Sequence, residues 1–263
     1  MQFHKYHGTG NDFVVIDDRA RAFDAADQAR IAHLCHRRFG IGADGLMLLR
    51  EKAGYDFEMA YFNADGRPGS MCGNGGRCLV AFARFLGVVA DRARFLAVDG
   101  PHEARVEPDG TVRLKMQDVA APRPAGVGQE HGDEFLDTGS PHHVRFLPAG
   151  LAELDVFAAG RALRYGATYG AAGANINFVE IPADPAHLWP VRTYERGVEA
   201  ETLSCGTGVT AVALAASARG GASPVRLRTP GGELEVAFQQ RPGGGFAEVW
   251  LSGPAVHVFE GTL

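Results

Sequence analysis

Apolar and polar residues alternate with period two along much of the first 120 positions. In Tyr55-Asp56-Phe57-Glu58-Met59-Ala60-Tyr61 every second side chain is large and apolar, which predicts a strand with one buried face. The same pattern predicts strands at 2–6, 12–17, 45–50, 94–98, 102–107 and 111–116. Asp109-Gly110 joins the last two, and its glycine accepts the positive φ of a tight hairpin. Helical periodicity is rarer. Asp24 is placed to cap a helix reaching Phe39, with Ile31, Leu34 and Cys35 on one stripe and Gly40 as its stop. Residues 76–86 and 209–219 are apolar on nearly every side, the mark of helices surrounded by protein. Proline and glycine in 120–128 predict a linker, and a second strand-rich half runs over about 137–251.

An internal repeat organises these elements. Cys72-Gly73-Asn74-Gly75 and Cys205-Gly206-Thr207-Gly208 lie 133 positions apart. At that offset Tyr61-Phe62-Asn63 falls on Tyr194-Glu195-Arg196, and Gly87 on Gly220. Gly10-Asn11-Asp12-Phe13-Val14 has a looser counterpart in 173–179, as though the helix at 24–39 were absent from the second half. Two copies do not make a solenoid. The expected fold is α+β, with two pseudo-symmetric domains, each a curved sheet or barrel wrapped around a central helix, and the active site in the cleft between them.

Charge narrows the partners. Against 26 Lys and Arg stand 31 Asp and Glu, a net charge of −5, and no basic cluster suits a phosphate backbone, so no nucleic-acid partner is expected. No apolar run approaches the roughly 20 residues that span a bilayer, and the first residues do not resemble a signal peptide, so no membrane association and a cytoplasmic location are expected. Four cysteines in 263 residues are too sparse for a disulfide scaffold and match no zinc spacing, and no metal is expected. The 35 glycines, about 13% against a typical 7%, call for many tight turns or close backbone approaches.

Cys72 and Cys205 each precede the glycines that open a buried helix. A helix N-terminus lowers a thiol pKa from about 8.5 into the range of roughly 3.5–7.5, and its free N–H groups bind carboxylate or phosphate. One such cysteine alone reads as a buried, inert thiol. Two in a duplicated frame would bring two helix ends and two thiols to one anionic ligand. Acid and base on opposite sides of one carbon are what inversion of a stereocentre requires. No cofactor motif competes: Gly8-Thr9-Gly10 lacks the third glycine of a dinucleotide fingerprint and Gly40-Ile41-Gly42 the Gly-Lys-Ser/Thr of a phosphate loop, so both read as turns. Cys35 and Cys78 fall on helix interiors and read as core.

The motifs Gly8-Thr9-Gly10-Asn11-Asp12-Phe13, Gly42-Ala43-Asp44-Gly45, Phe62-Asn63-Ala64-Asp65-Gly66, Met71-Cys72-Gly73-Asn74-Gly75-Gly76-Arg77-Cys78, Ala174-Asn175-Ile176-Asn177-Phe178, Tyr194-Glu195-Arg196-Gly197, Cys205-Gly206-Thr207-Gly208 and Thr229-Pro230-Gly231-Gly232 together resemble the motif set of the diaminopimelate epimerases, in order along the whole chain. The resemblance implies a cofactor-independent isomerase that converts LL-2,6-diaminopimelate to the meso form on the route to lysine and peptidoglycan. It implies a domain formed by 1–118 with 252–263, where the last strand returns, and another formed by 119–251, and it makes a homodimer unsurprising.

By motif, Cys72 and Cys205 would be base and acid. Gly73, Asn74, Gly206 and Thr207 would hold the reacting carboxylate through backbone N–H groups. Asn11, Asn63, Asn175, Glu195 and Arg196 would contact the rest of the substrate, and His142 and Glu195 would modulate the thiols. Ser140-Pro141-His142 stands where the family more often has Asn-Pro-His, which shortens the contact at Ser140, and Gly45 replaces a longer polar residue of some members. Both departures bear on the distal end of the substrate.

Other meanings stay open for single residues: a strand-end surface charge for Glu195, a satisfied loop histidine for His142, turn residues for Asn11 and Asn63. A histidine or proline racemase of the same architecture is the nearest alternative function. Proline racemases carry a His after Cys-Gly, where this chain has Asn74. A single-cysteine thiol enzyme with His142 as base, or a carboxylate-binding module, are the alternatives from other classes.

Overall fold

The computed structural model describes residues 1–125 and 132–263. The chain packs as two compact units, Met1–Leu114 with Gly253–Leu263, and Lys115–Ser252. Both are mixed sheets with helices, an α+β architecture.

In the first unit β1 (Gln2–Gly8) turns through Thr9-Gly10, both at positive φ (49° and 85°), into antiparallel β2 (Asn11–Asp17). Positive φ at both central residues gives a two-residue turn whose twist matches that of the strands it joins. After α1 (Gln28–Cys35) comes β3 (Gly45–Arg50), parallel to β2, and then β4 (Phe57–Asn63), antiparallel to β3. Phe13–Ile16 and Leu46–Leu49 are entirely buried, because the parallel pair is covered on both faces. On one face Val14, Ile16, Leu46 and Leu48 pack with Ile31, Leu34 and Cys35 of α1. On the other lies α2 (Gly73–Phe85), against β1, β2, β3 and β6. The unit continues with β5 (Arg92–Ala97), parallel to β4, and a meander of β6 (Gly100–Val106) and β7 (Val112–Lys115), which turns at Gly110 with φ of 89°.

The second unit repeats this order. A short β8 (Arg123–Pro124) pairs with β9 (Glu134–Asp137), which is antiparallel to β10 (Pro141–Leu147). Then follow α3 (Val156–Arg164), β11 (Asn175–Glu180) parallel to β10, β12 (Trp189–Glu195) antiparallel to β11, and a short β13 (Ala200–Thr202). Next comes α4 (Gly206–Ala216), ending in a 3-10 turn, Ser217–Arg219. After it β14 (Val225–Thr229) is parallel to β12, and β15 (Gly232–Gln240) and β16 (Phe246–Gly253) close the meander. Every residue of α4 except Thr207 is buried, and its Ala and Val side chains pack with Val144, Val179, Val191, Leu227, Val236 and Leu251. Small side chains let strands approach this helix from several directions. Finally β17 (Val256–Thr262) pairs with β1, in the first unit.

Three expectations change. The first helix begins after Asp27, whose carboxylate accepts from Arg30 N–H at 2.9 Å, while Asp24 makes a turn contact with Ala26 N–H. It ends at Cys35: His36 is extended, and its Nδ1 accepts from the N–H groups of Arg38 and Phe39, so Gly40 is not the stop. The helix thought absent from the second half is α3, placed between β10 and β11 as α1 is between β2 and β3. The counterpart of Asn11–Asp17 is therefore β10, and 173–179 corresponds to the start of β3. Of the linker expected at 120–128, Arg123 and Pro124 are a strand, and 126–128 lie outside the described residues.

Candidate active site

Cys72 and Cys205 occupy the same local structure. Each is the extended residue before its helix, with φ/ψ of −114°/120° and −118°/109°, and the carbonyl of each accepts the helix's first long bond, from Gly76 and Val209 N–H. Both turns sit at the N-terminal, positive ends of the helix dipoles. Cys72 is half-buried and Cys205 buried.

In the first unit the register brings Asn11, Gly45 and Asn63 to the same end of the sheet as the Cys72 turn: Gly45 is opposite Phe13 and Asn63. Asn11 Nδ2 donates to Asp44 Oδ2 at 2.7 Å, which turns its Oδ1 toward Cys72 Sγ (3.4 Å) and Asn74 Nδ2 (3.3 Å). Asp44 is itself held by Arg37 at 2.6 Å, and Arg37 also grips Asp12, which pairs with Lys5 at 2.6 Å. Burial pushes the Asp12 carboxyl up, but hydrogen bonds from Arg37 and Lys5 outweigh it and bring it to about 2. Asn63 closes the hairpin after β4, its carbonyl accepting from Gly66 N–H. Gly45 packs too tightly for a side chain, since a Cβ there would lie 2.5 Å from the Tyr61 ring.

Beneath Cys72 the guanidinium of Arg77 is wholly buried, with Nη2 3.0 Å from Asn74 Oδ1. Burial lowers the Arg77 pKa, opposed by Cys78 and Cys72. Burial pushes the two remaining thiols up, Cys35 to about 11 and Cys78 to about 12, which keeps them protonated and inert.

In the second unit Ser140, His142, Asn175, Glu195, Arg196 and Thr207 gather at the corresponding sheet end. Ser140 Oγ is 2.9 Å from His142 Nε2 and 3.3 Å from Thr207 Oγ1, and Thr207 Oγ1 is 3.5 Å from Cys205 Sγ. Asn175 Oδ1 accepts from Arg196 N–H at 2.9 Å, and its Nδ2 donates to Ser140 Oγ and the Pro141 carbonyl. Glu195 accepts from Thr202 Oγ1 at 3.0 Å, and Arg196 reaches the carbonyl of Ala172 at 3.2 Å. His142 lies in a strand, not a loop, with no exposed surface. Burial, then the charge of Arg196, push its imidazole down to about 3, so it is neutral at pH 7.

Sequence reasoning missed Asp44, Arg77, Asn177, Thr193 and Thr138. Thr138 Oγ1 donates to the Thr207 carbonyl at 3.0 Å. Asn177 follows Asn175 at strand period two, which was a readable signal for a polar floor. Nothing in the sequence marked Arg77 as buried. Among the described residues one set of metal-type ligands gathers elsewhere, His4, His257 and Glu260 on the paired strands β1 and β17, with ligand atoms within 4.8 Å of one another. No helix among the described residues is long and apolar enough to cross a membrane.

Comparison with known proteins adds a lineage to this geometry. Among solved structures, a Bacillus anthracis phenazine biosynthesis protein of the PhzF family superposes with a TM-score of 0.73 at 14% identity, covering 99% of this chain and 97% of that one. A probable proline racemase from Agrobacterium radiobacter superposes at 0.71 with 17% identity, covering 100% and 92%. These show the fold. The sequence is 47% identical over 265 residues to the diaminopimelate epimerase of Flavobacterium psychrophilum, covering both chains fully. It is 43% identical to that of Chlorobaculum tepidum, covering 97% of this chain and 98% of that one. The family model described as diaminopimelate epimerase matches residues 3–121 and 135–258, and the chain belongs to that family.

Proposed function

We propose that this chain is an isomerase interconverting LL- and meso-2,6-diaminopimelate without a cofactor, by a two-base route through Cys72 and Cys205. The observation that carries the proposal is the duplicated thiol: two cysteines with the same backbone conformation, each at the N-terminus of a buried helix. A single base tends to return a proton to the face it came from. Two thiols, one removing the α-proton as thiolate and one delivering a proton as thiol, invert the centre and exchange roles in the reverse direction. Negative charge that develops toward the α-carboxylate meets backbone N–H groups of Gly73, Asn74, Gly206 and Thr207, already oriented before the substrate arrives. Arg196 suits the distal carboxylate, and Asn11, Asn63 and Asn175 the remaining polar groups.

The enzyme acts in the cytoplasm, where the lysine and cell-wall precursors of this family's pathway are made. A homodimer is part of the proposal, supported by the exposed Val256, Val258 and Phe259 on β17 and Phe85 on α2.

Proton NMR in deuterated water tests the function. LL-diaminopimelate should exchange its α-proton and invert, whereas L-histidine and L-proline should not. Cys72→Ala and Cys205→Ala should each lower inversion by about 10³-fold, within the 10²–10⁴ carried by a general acid or base. Wild-type rates in both variants would sink the two-base route, and exchange of proline alone would favour a proline-type racemase.

A further inference from the structure

We infer that Asn177 is a positioning residue for Cys205, acting through a one-way chain of hydrogen bonds that runs Asn177, His142, Ser140, Thr207 and ends on the Cys205 sulfur. The inference rests on Cys205 being one of the two acid/base thiols. Each proton's direction follows from its partners. The His143 carbonyl can only accept, so the Asn177 group 2.9 Å from it is the amide NH₂. The second hydrogen of that NH₂ faces His142 Nδ1 at 3.2 Å, which must then be the bare nitrogen. Thr193 Oγ1, donating to Asn177 Oδ1 at 3.0 Å, fixes the amide from the other side.

His142 is buried and neutral, so its one proton sits on Nε2 and is donated to Ser140 Oγ. Ser140 Oγ also accepts from Asn175 Nδ2, whose orientation is set by the Pro141 carbonyl and Arg196 N–H. With both acceptor positions taken, the Ser140 hydrogen goes to Thr207 Oγ1, and the Thr207 hydrogen goes to Cys205 Sγ. A sulfur offered a donor is stabilised as thiolate. Charged and titratable groups on the surrounding elements are Asp137 at the end of β9, His142 and His143 on β10, and Glu195 with Arg196 at the end of β12. None of these is a link in the chain except the neutral His142.

The test reads thiols, not turnover, so it stands apart from the question of substrate. Iodoacetamide labelling of the full chain from pH 5 to 10, with mass spectrometry of the Cys72 and Cys205 peptides, gives a midpoint for each thiol. Cys35 and Cys78, buried with pKa values pushed up to about 11 and 12, stay outside the window. Midpoints are compared rather than plateau rates, because the two thiols differ in access.

Thr207→Val and Ser140→Ala should each raise the Cys205 midpoint by about one pH unit, a tenfold loss of thiolate at neutral pH, and leave Cys72 unmoved. The double variant should shift no further than either single one, and Thr207→Ser should restore the wild-type value. Nitrogen-15 NMR of histidine-labelled protein should show one Nε2–H tautomer persisting to pH 4 that is missing in His142→Gln. An unmoved Cys205 midpoint in Thr207→Val, additive shifts in the double variant, or an Nδ1–H tautomer for His142 would each overturn the inference.

Discussion

The two thiols share a backbone and differ in what lies under it. A Cβ built on Gly75 meets Met47 Sδ at 3.0 Å, and one on Gly208 meets Asn177 Oδ1 at 2.4 Å, so Met47 and Asn177 hold matching places. Strand register then matches Phe13 with His142 and Tyr61 with Thr193. Beneath Cys72 the floor is apolar and aromatic, and a buried cation, Arg77, stands behind the helix start. Beneath Cys205 the floor is His142, Asn177 and Thr193, and Thr210, which replaces Arg77 in the helix, returns its hydroxyl to the Gly206 carbonyl at 2.9 Å. One unit holds a fixed charge near its sulfur, and the other a neutral chain of oriented dipoles. Under the proposed two-base route each sulfur is the thiolate in one direction of the reaction, and the two units would meet that demand by different means. They differ in tolerance: an apolar floor can be repacked, whereas a hydrogen-bonded one fails when a link is lost.

The sharpest break in this comparison comes from putting one side chain in both floors. Asn177→Leu strands the Thr193 hydroxyl, His142 Nδ1 and the His143 carbonyl, at about 1–3 kcal/mol for each buried group left without a partner, so about 3–9 kcal/mol should be lost in urea unfolding. Met47→Leu keeps volume and polarity and should cost less than about 1.5 kcal/mol. Equal losses would mean that the two floors are equally plastic. Next in size are the helix glycines. Gly208→Ala drives a methyl into an amide locked on both sides and should cost about 2–3 kcal/mol. Gly75→Ala meets a pliable thioether and gains up to about 1 kcal/mol of helix propensity, so its unfolding midpoint should stay near wild type.

Acid separates the floors as well. His142 titrates at about 3 when folded, against 6.5 in the unfolded chain. Between these values the unfolded chain binds a proton that the folded one refuses, so this group's contribution falls as pH falls through the window, by up to about 1.4 kcal/mol per pH unit. In His142→Phe, which copies Phe13, the stability difference from wild type should narrow as pH is lowered from 7 to 4. A constant difference would contradict a neutral buried His142. The smallest expected change concerns the cation: Arg77→Met should raise the Cys72 labelling midpoint by about one pH unit and leave that of Cys205 in place.

How much of this was legible follows from what each part depends on. Strands such as β2, β3 and β4 announce themselves by local alternation or by unbroken apolar runs. The cysteine turns were visible because a 133-residue offset repeats a short, rigid glycine motif whose spacing cannot drift. The place of α3 was hidden, since an amphipathic helix on the outer face keeps no fixed sequence, and the offset between β2 and β10 differs from that between the cysteines. The polar floor showed only as the period-two spacing of Asn175 and Asn177, which does not say what those side chains bind. Asn177 and His142 acquire their roles from cross-strand register, and a buried asparagine looks the same in sequence as a turn asparagine until its partners are known. Arg77, charged yet wholly enclosed, runs against the ordinary expectation for arginine.

The return of β17 to β1 has a consequence for how the chain is made. The first unit cannot complete its sheet until residues 256–262 have emerged, after all of Lys115–Ser252. At about 5–20 residues per second on the ribosome, β1 waits on the order of 10–50 s for its neighbour. During that interval the second unit, contiguous in sequence, is free to fold, while the first keeps an open strand edge. An open edge is a hazard for aggregation. The nascent chain is thus most exposed where the finished fold is tied shut.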